Sequence, residues 1–247
     1  MQELAGEKSH SSVGGGAANE AQPSRAKLLR MDSFAPQVDA QIWARFPDYR
    51  ALSVVIRNYE PERNPEAPSA TPATWIDVHI QAWHEAFKAF GANPKRTAPS
   101  FDALVKRYRK DGLPAIHPLV DCYNALSVSF GAPFGGEDID RYAGVPRLQF
   151  ADGTEPFDTS KDGQPVIEHP EPGEVIWRDD QGVTCRRWNW RQCKRTAITE
   201  SSRNLWFVID RLPPMRIEDL EAAGAALIQA LVAASPRAVG SMQILAP

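Results

Sequence analysis

The chain is short of the residues that most enzymes and extracellular scaffolds lean on. Its three cysteines, Cys122, Cys185 and Cys193, are an odd number without a Cys-x-x-Cys pair. That excludes a disulfide framework and reads as reduced thiols in a cytoplasmic protein. Five histidines are scattered over 247 residues, and with Cys185 and Cys193 they do not reach the spacing of a four-ligand zinc site, so no metal is expected. No apolar run is long enough to span a bilayer, and no membrane partner is expected. A Gly-rich phosphate loop, a nucleophile elbow, a Ser-His-Asp grouping and an internal repeat are all missing, and no cofactor is expected. His79 and His84 fall in a core-patterned helix, and His169 follows Glu168 in a proline-rich loop. A formal net charge of -3 argues against indiscriminate nucleic-acid binding, DNA included, yet a local basic patch can still hold phosphates on an acidic protein.

What is present suffices for one substantial core, since 43% of the 247 residues are hydrophobic. Residues 1–33 begin with a Gly-, Ala-, Ser-, Glu- and Gln-rich stretch without aromatics or a secretory apolar segment, and are expected to be disordered. Met31 opens the first folded-looking segment, so the residues before it read as an overextended start, with an Arg- and Ser-containing organelle leader as the alternative. A single domain is expected over 39–236, followed by a tail at 237–247.

The run ALSVVIR, Ala51 to Arg57, suits a buried strand, and the proline-rich stretch after it a loop. Ile76, Ile80, Trp83, Phe87 and Phe90 recur at helical spacing, which predicts an amphipathic helix from Ala73 to Phe90 ending at Gly91. Ser100 reads as the cap of a short helix with Lys106, Arg107, Arg109 and Lys110 along one side. That side is either a solvated face or a contact to an RNA backbone. Pro118 and Gly131 bracket a further helix from Pro118 to Phe130. Along it His117, Asp121 and Asn124 share a stripe, while Leu119, Cys122, Leu126 and Phe130 face the core.

Downstream, a hairpin is expected with strands at Glu174–Arg178 and Val183–Trp190 around the turn Asp179-Asp180-Gln181-Gly182. Regular alternation would put Trp188 and Trp190 on one face and Arg187, Asn189 and Arg191 on the other. Asn204 to Asp210 reads as a buried strand and Ile217 to Ala234 as a closing helix. Helices and strands alternate early and hairpins dominate later, which favours an α+β fold over a doubly wound sheet.

The stretch PLVDCYNALSVSFGAPFGGEDIDRYAG resembles the B3/B4 editing domain of the phenylalanyl-tRNA synthetase beta chain, as a free-standing copy. The resemblance rests on Asp121 and Asn124 on a helix, then Pro133 in a turn, then Asp138 and Asp140. It continues through Gly153-Thr154-Glu155, the hairpin ending Asp179-Asp180, and ITESSRN. It implies a three-layer α+β fold, with mixed or antiparallel sheets and packed helices, that hydrolyses the ester joining a wrong amino acid to tRNA. The pocket asparagine of that family corresponds to Asn124. Its pocket histidine falls on Gly135, and its tyrosine-reading glutamate approximately on Val208. An aliphatic side chain cannot accept a hydroxyl hydrogen bond, so tyrosine is not the amino acid expected to be cleared. The catalytic-like and anticodon-binding portions of the synthetase chain have no counterpart here, so the expected activity is proofreading in trans. Its partners would be aminoacyl-tRNA and, as a candidate, a cognate aminoacyl-tRNA synthetase.

An aminoacyl ester is already activated, so a site that holds its carbonyl, orients a water and stabilises the oxyanion needs no covalent nucleophile. The candidates are Asn124 as an orienting donor, Gly135 and Gly136 as backbone amides near the carbonyl, Asp138 as an anchor and His117 as a water-orienting group. Asp138 and His117 could equally cap a turn and a helix. Asp121, Glu137, Arg187, Asn189 and Val208 are candidates for the substrate wall, and Lys106, Arg107, Arg109, Lys110 and Arg191 for tRNA. Arg187 could instead contact phosphate. A carboxylate facing the pocket at Glu137, Asp138 or Asp121 would suit a non-protein or arginine-like amino acid. Two other classes stay open: a non-catalytic module that binds tRNA or an amino acid beside a synthetase, and a small-molecule esterase, which the missing nucleophile elbow disfavours.

Overall fold

The computed structural model describes residues 34–66, 68–113 and 115–247; the expected disorder of residues 1–33 lies outside them. Ala35–Pro247 form one unit, an α+β arrangement of helices and three sheets.

Its centre is a four-stranded antiparallel sheet of β2 (Arg50–Arg57), β3 (Phe134–Asp138), β10 (Leu205–Arg211) and β11 (Val239–Leu245), in the order β11-β2-β10-β3. Alternation along β10 splits its side chains. Leu205, Phe207 and Ile209 join a core cluster with Leu52, Val54 and Ile56 of β2. Two helices complete that cluster: α4 (Pro118–Phe130) through Leu119, Cys122 and Leu126, and α5 (Ile217–Ala234) through Leu220, Leu227 and Leu231. Each large apolar side chain so buried contributes roughly 1.5–3 kcal/mol.

On the opposite face, Trp206 meets Trp177 edge-on with ring centroids 5.2 Å apart, and Tyr142 at 5.9 Å. Trp177 belongs to a second sheet, of β1 (Gln37–Val38), β4 (Arg147–Phe150), β7 (Val175–Arg178), β8 (Val183–Arg186) and β9 (Arg191–Gln192). It is antiparallel except for the β1–β4 pair. Helices, central sheet and second sheet are the three layers that the resemblance implies. A small hairpin, β5 (Phe157–Lys161) with β6 (Gln164–Glu168), forms a separate two-stranded sheet whose Phe157 packs with Ile176 and Val183 of the second sheet.

The remaining helices are α1 (Ala40–Arg45), α2 (Ile76–Ala89) and α3 (Ser100–Asp111). The apolar stripe of α2 is buried as its spacing requires, although the helix starts three residues later than Ala73, with Trp75 in a non-helical cap conformation. Its His79 is a core histidine. Nδ1 lies 2.6 Å from the carbonyl oxygen of Gly131, and Nε2 accepts from the Trp83 indole and the Leu212 amide. Ser100 is the first residue of α3 and makes no side-chain cap; Pro99 occupies the cap position.

The bounds of α4 follow from its ends. His117 accepts at Nδ1 from the Leu119 amide (3.3 Å), Pro118 fills the first turn, and Gly131, at φ 65°, supplies the left-handed stop.

Two further expectations fail. The second hairpin strand does not run to Trp190: it ends at Arg186, and Arg187 and Trp188 take positive φ values of 46° and 65°. The expected tail at 237–247 holds β11, which pairs with β2 from Val239–Arg57 to Leu245–Ala51.

Candidate active site

Where the edge strand β3, the middle of α4 and the chain after β8 converge, they leave a cavity of about 320 Å³. Asn124 reaches it from α4, Gly135 and Glu137 from β3, Val208 and Asp210 from β10. The register explains the grouping: Gly135 pairs with Val208 and Glu137 with Trp206, so these side chains share the face away from the helices. The Asn124 amide group makes no hydrogen bond among the described residues, which leaves both its donor and its acceptor for whatever enters.

The opposite wall comes from the irregular segment after β8. Trp188 is fully buried against Phe46, Tyr49 and Trp83, at centroid distances of 4.8, 4.7 and 5.2 Å. That nest fixes the chain reversal and brings Asn189, Trp190 and Arg191 to the cavity. Trp188 and Trp190 therefore do not share a strand face as regular alternation would require. Arg187 turns away: it stacks 4.5 Å from the Trp190 ring, pairs with Glu174, and lines a separate hollow of about 310 Å³ beside Asn93 and Arg96.

Two carboxylates are buried at the cavity. Glu137 accepts from Tyr142 and, at 3.3 Å, from Gln192. Burial pushes its pKa up to about 7, against the lowering effect of the Tyr142, Thr196 and Gln192 hydrogen bonds and of Arg195. Asp210 is raised to about 6 by burial, with the hydrogen bonds from Tyr49 and Asn189 acting in the opposite direction. The Cys185 thiol also lines the cavity, but burial, Glu137 and Asp210 raise its pKa well above the ordinary range. A thiol held neutral is a poor nucleophile. Among the described residues no cluster of three or more His, Cys, Asp and Glu could hold a metal ion.

Several expected site residues lie elsewhere. Asp138 caps the 3-10 turn that follows β3, accepting from the Asp140 amide at 2.9 Å and the Ser202 hydroxyl at 2.6 Å. His117 is the α4 cap and borders a different hollow with Thr199 and Ser202. Asp121 turns back to the amides of Ile116 and His117 at 2.9 and 3.4 Å. Gly136 faces the core, where a Cβ would meet the Phe207 ring at 2.8 Å. Only its backbone is turned toward the site, with the carbonyl accepting from Gln192 at 3.2 Å.

The basic side of α3 is largely paired. Lys106 meets Asp102, Arg109 grips Asp77 with two bonds of 2.8 and 2.9 Å, and Lys110 lies 3.7 Å from Asp111. Arg107 differs. It lines the cavity and makes no ion pair among the described residues. Arg191 also lines the cavity and donates to the Ser160 carbonyl. Asp210 and Gln192 are the cavity groups that sequence reasoning missed. Asp210 had a usable signal, lying two residues after Val208 on one strand face; Gln192 had none.

Three layers, with a cavity that holds two buried acids beside the edge strand β3, define an α+β domain. The chain belongs to the B3/4 domain family, whose description matches residues 82–223, more than half of the chain. No curated protein matches it. Among solved structures it is similar to an N-terminal fragment of the phenylalanyl-tRNA synthetase beta-subunit from Pyrococcus horikoshii, at 12% identity and a TM-score of 0.46. That likeness covers 84% of this chain and 50% of the other. The chain thus spans about half the length of that fragment, and at this level the likeness carries no argument about site or substrate. No helix among the described residues is long and apolar enough to cross a membrane.

Proposed function

We propose that the chain is a trans-acting aminoacyl-tRNA deacylase that hydrolyses the ester of a mischarged tRNA. The observation that carries this reading is the cavity itself: an aromatic-walled space of about 320 Å³ with the uncommitted amide of Asn124 at its side. Such a volume accommodates an amino-acid side chain. Arg107 and Arg191 line the same cavity and supply cations for the terminal phosphates of a tRNA.

In the reaction a water oxygen bonds to the ester carbonyl carbon, and the bond from that carbon to the ribose oxygen breaks. One proton of the water ends on the leaving ribose hydroxyl and the other passes to solvent, so the amino acid departs as a carboxylate. Asn124 orients the carbonyl or the water. The backbone amide of Gly136, on the edge of β3 that does not pair with β10, supplies a donor for the developing oxyanion, such a donor being worth roughly 100- to 1000-fold in rate. No covalent intermediate is required, which fits a cavity whose thiol is held neutral.

Glu137 at the wall favours a cationic, arginine-like or non-protein amino acid over tyrosine, whose hydroxyl would meet the aliphatic Val208. A synthetase that supplies the mischarged tRNA is the natural partner.

The test is a panel of mischarged tRNAs, non-protein amino acids included, incubated with purified protein. Turnover is expected for a cationic aminoacyl group, and Asn124→Ala is expected to lower it by about 100-fold or more while tRNA affinity holds. Absence of turnover across the panel would leave a binding module; release of apolar aminoacyl groups alone would overturn the substrate assignment.

A further inference from the structure

At the edge of the central sheet opposite the cavity, β11 carries none of the devices that keep an edge strand to itself. Its residues, Val239–Leu245, include no charged side chain and no proline, and they pair with β2 without a break in register. Edge strands that must stay unpaired are blunted by a lysine, a proline or a bulge. Val239 is 63% exposed and Met242 42%, and Ser241 and Gln243 are exposed as well.

Which backbone groups of β11 face outward follows from the ladder. The Asp210 amide donates to the Pro133 carbonyl and the Ile139 amide to the Asn204 carbonyl, while the Gly136 carbonyl points away from β10 to Gln192. Hydrogen-bonded and non-bonded pairs alternate along an antiparallel ladder. Trp206 and Val208 of β10 therefore bond to β3, and Leu205, Phe207 and Ile209 bond to β2. One strand further out, Ser53 and Val55 of β2 turn to β11, where they meet Gln243 and Ser241. Gly240, Met242 and Ile244 are left with amide and carbonyl on the open side, where no strand of the described residues pairs with them.

The helix side of that edge is apolar. Met242 lies against Gly224 of α5, where an added Cβ would stand 3.1 Å from Met242 Sδ, and Gly240 lies against Ile228. Ile228 is only partly buried, and Ala225, one turn before it, is exposed. The acidic residues of α5, Glu218, Asp219 and Glu221, are confined to its start.

We propose that β11 is the interface of a two-fold dimer, in which the strands of two copies pair antiparallel about Met242 and join two central sheets into one. In this register Met242 faces the partner's Met242 and Gly240 faces the partner's Ile244. Each pair exchanges two hydrogen bonds, so every outward amide and carbonyl of these residues is satisfied. A two-fold interface needs a surface complementary to itself, and this edge is one. An uncharged strand meets an uncharged strand, the apolar strip of Met242 and Ile228 meets its own copy, and the antiparallel order sets the acidic starts of the two α5 helices at opposite ends of the joint. An extended segment of another protein could bond the same amides, but it would bring no second helix to cover Met242 and Ile228. The cavity lies beside β3, at the other edge, and stays open in the dimer.

The experiment is light scattering on the full chain over a dilution series. Twice the 27.3 kDa of one chain is expected at the concentrated end; the monomer mass throughout, or unbounded aggregation, overturns the proposal. Substitutions at Met242 separate this edge from any other face. Met242→Lys sets two ammonium groups against each other and is expected to weaken the dimer by about tenfold or more. Met242→Pro removes an amide that β2 does not use, which an edge strand tolerates on its open side, and is expected to weaken the dimer too. A dimer untouched by both overturns the proposal.

Amide exchange followed by NMR tests the register in the unaltered chain, whether or not the proline variant folds. In concentrated protein the amides of Gly240, Met242 and Ile244 are expected to be protected along with those of Ser241 and Gln243. On dilution the first three are expected to exchange freely while Ser241 and Gln243 stay protected by β2. Protection of Met242 in the monomer, or loss of protection at all five together, overturns the proposal. None of these readouts involves tRNA, so the dimer and the deacylase reading fail separately.

Discussion

The two faces of the β3–β10 pair, built from alternate residues of the same strands, follow opposite rules. On the helix side Phe134, Phe207 and Ile209 join the apolar cluster of α4 and α5, and Gly136 lies against the Phe207 ring. On the other side Gly135, Glu137, Val208 and Asp210 surround a space and place two carboxylates where water is scarce. Burial without enough compensation is why both acids sit above their ordinary pKa. One face specifies the fold, and the other holds groups the fold would be more stable without.

The largest expected consequence of that contrast is in the pH dependence of stability. Glu137 and Asp210 have folded-state pKa values of about 7 and about 6, above the ordinary 4.5 and 3.8. The native state therefore holds more protons than the unfolded one between these limits. The stability these groups contribute is complete below pH ~4 and is lost as pH rises through 6 and 7. For Glu137 the loss is on the order of 3 kcal/mol. His79 acts in the opposite sense: burial holds it neutral down to about 4, so its contribution is lost as pH falls below 6.5. Comparing wild type with Glu137→Gln separates the two, because His79 is common to both. Denaturant titrations between pH 4 and 8 are expected to show wild type losing stability relative to the variant as pH rises; a flat difference would mean that Glu137 is not buried as described.

The adjacent glycines of β3 test the contrast by packing alone. At Gly136 an added Cβ lies 2.8 and 2.9 Å from two Phe207 ring carbons and 3.1 Å from Ile198. Phe207 is itself wholly buried, so Gly136→Ala is expected to cost about 1–3 kcal/mol. At Gly135 the nearest atoms are Gln192 Nε2 at 3.2 Å and Val208 Cγ1 at 3.3 Å, ends that can yield by a few tenths of an ångström. Gly135→Ala is expected to cost less than about 1 kcal/mol while narrowing the cavity and weakening ligand binding. Equal destabilisation in both variants would show that the space beside Gly135 is not open.

How much of this was legible in the sequence divides along the same line. The bounds of α4 were readable because Pro118 and Gly131 act locally, through a ring that fits a first turn and a missing Cβ that permits φ 65°. The buried strand β10 was readable from its apolar run. The strand β11 was not, because an edge strand with exposed Val239, Ser241 and Gln243 carries little periodic signal. The break after Arg186 was illegible for a different reason. Left-handed backbone at Arg187 and Trp188 is disfavoured locally and is imposed by the aromatic nest around Trp188, whose members lie far apart in the chain. Asn124 was found through family resemblance, whereas Asp210 needed only the alternation already assigned to its strand. Pairing on α3 was half legible: Lys106 follows Asp102 by four residues, but nothing local brings Arg109 to Asp77.

That last pairing sets the smallest expected effect. Arg109 and Asp77 are both well exposed, with 46% and 70% of their side-chain surface accessible, and exposed pairs contribute between about 0 and 1 kcal/mol. Arg109→Gln is therefore expected to change stability by less than about 1 kcal/mol. Because the Arg109 guanidinium already spends two donors on Asp77, the same substitution is expected to move tRNA affinity little. Arg107 lies at the cavity without an ion pair among the described residues, and on the proposed function it is the cation of this helix that meets phosphate. Each phosphate contact contributes a slope of about -0.7 to -0.9 in log affinity against log salt. Salt titrations of tRNA binding are expected to show Arg107→Gln losing about one such contact and Arg109→Gln losing almost none. The reverse order would place the RNA on the outer side of α3, away from the cavity, and would separate binding from the face where the buried carboxylates lie.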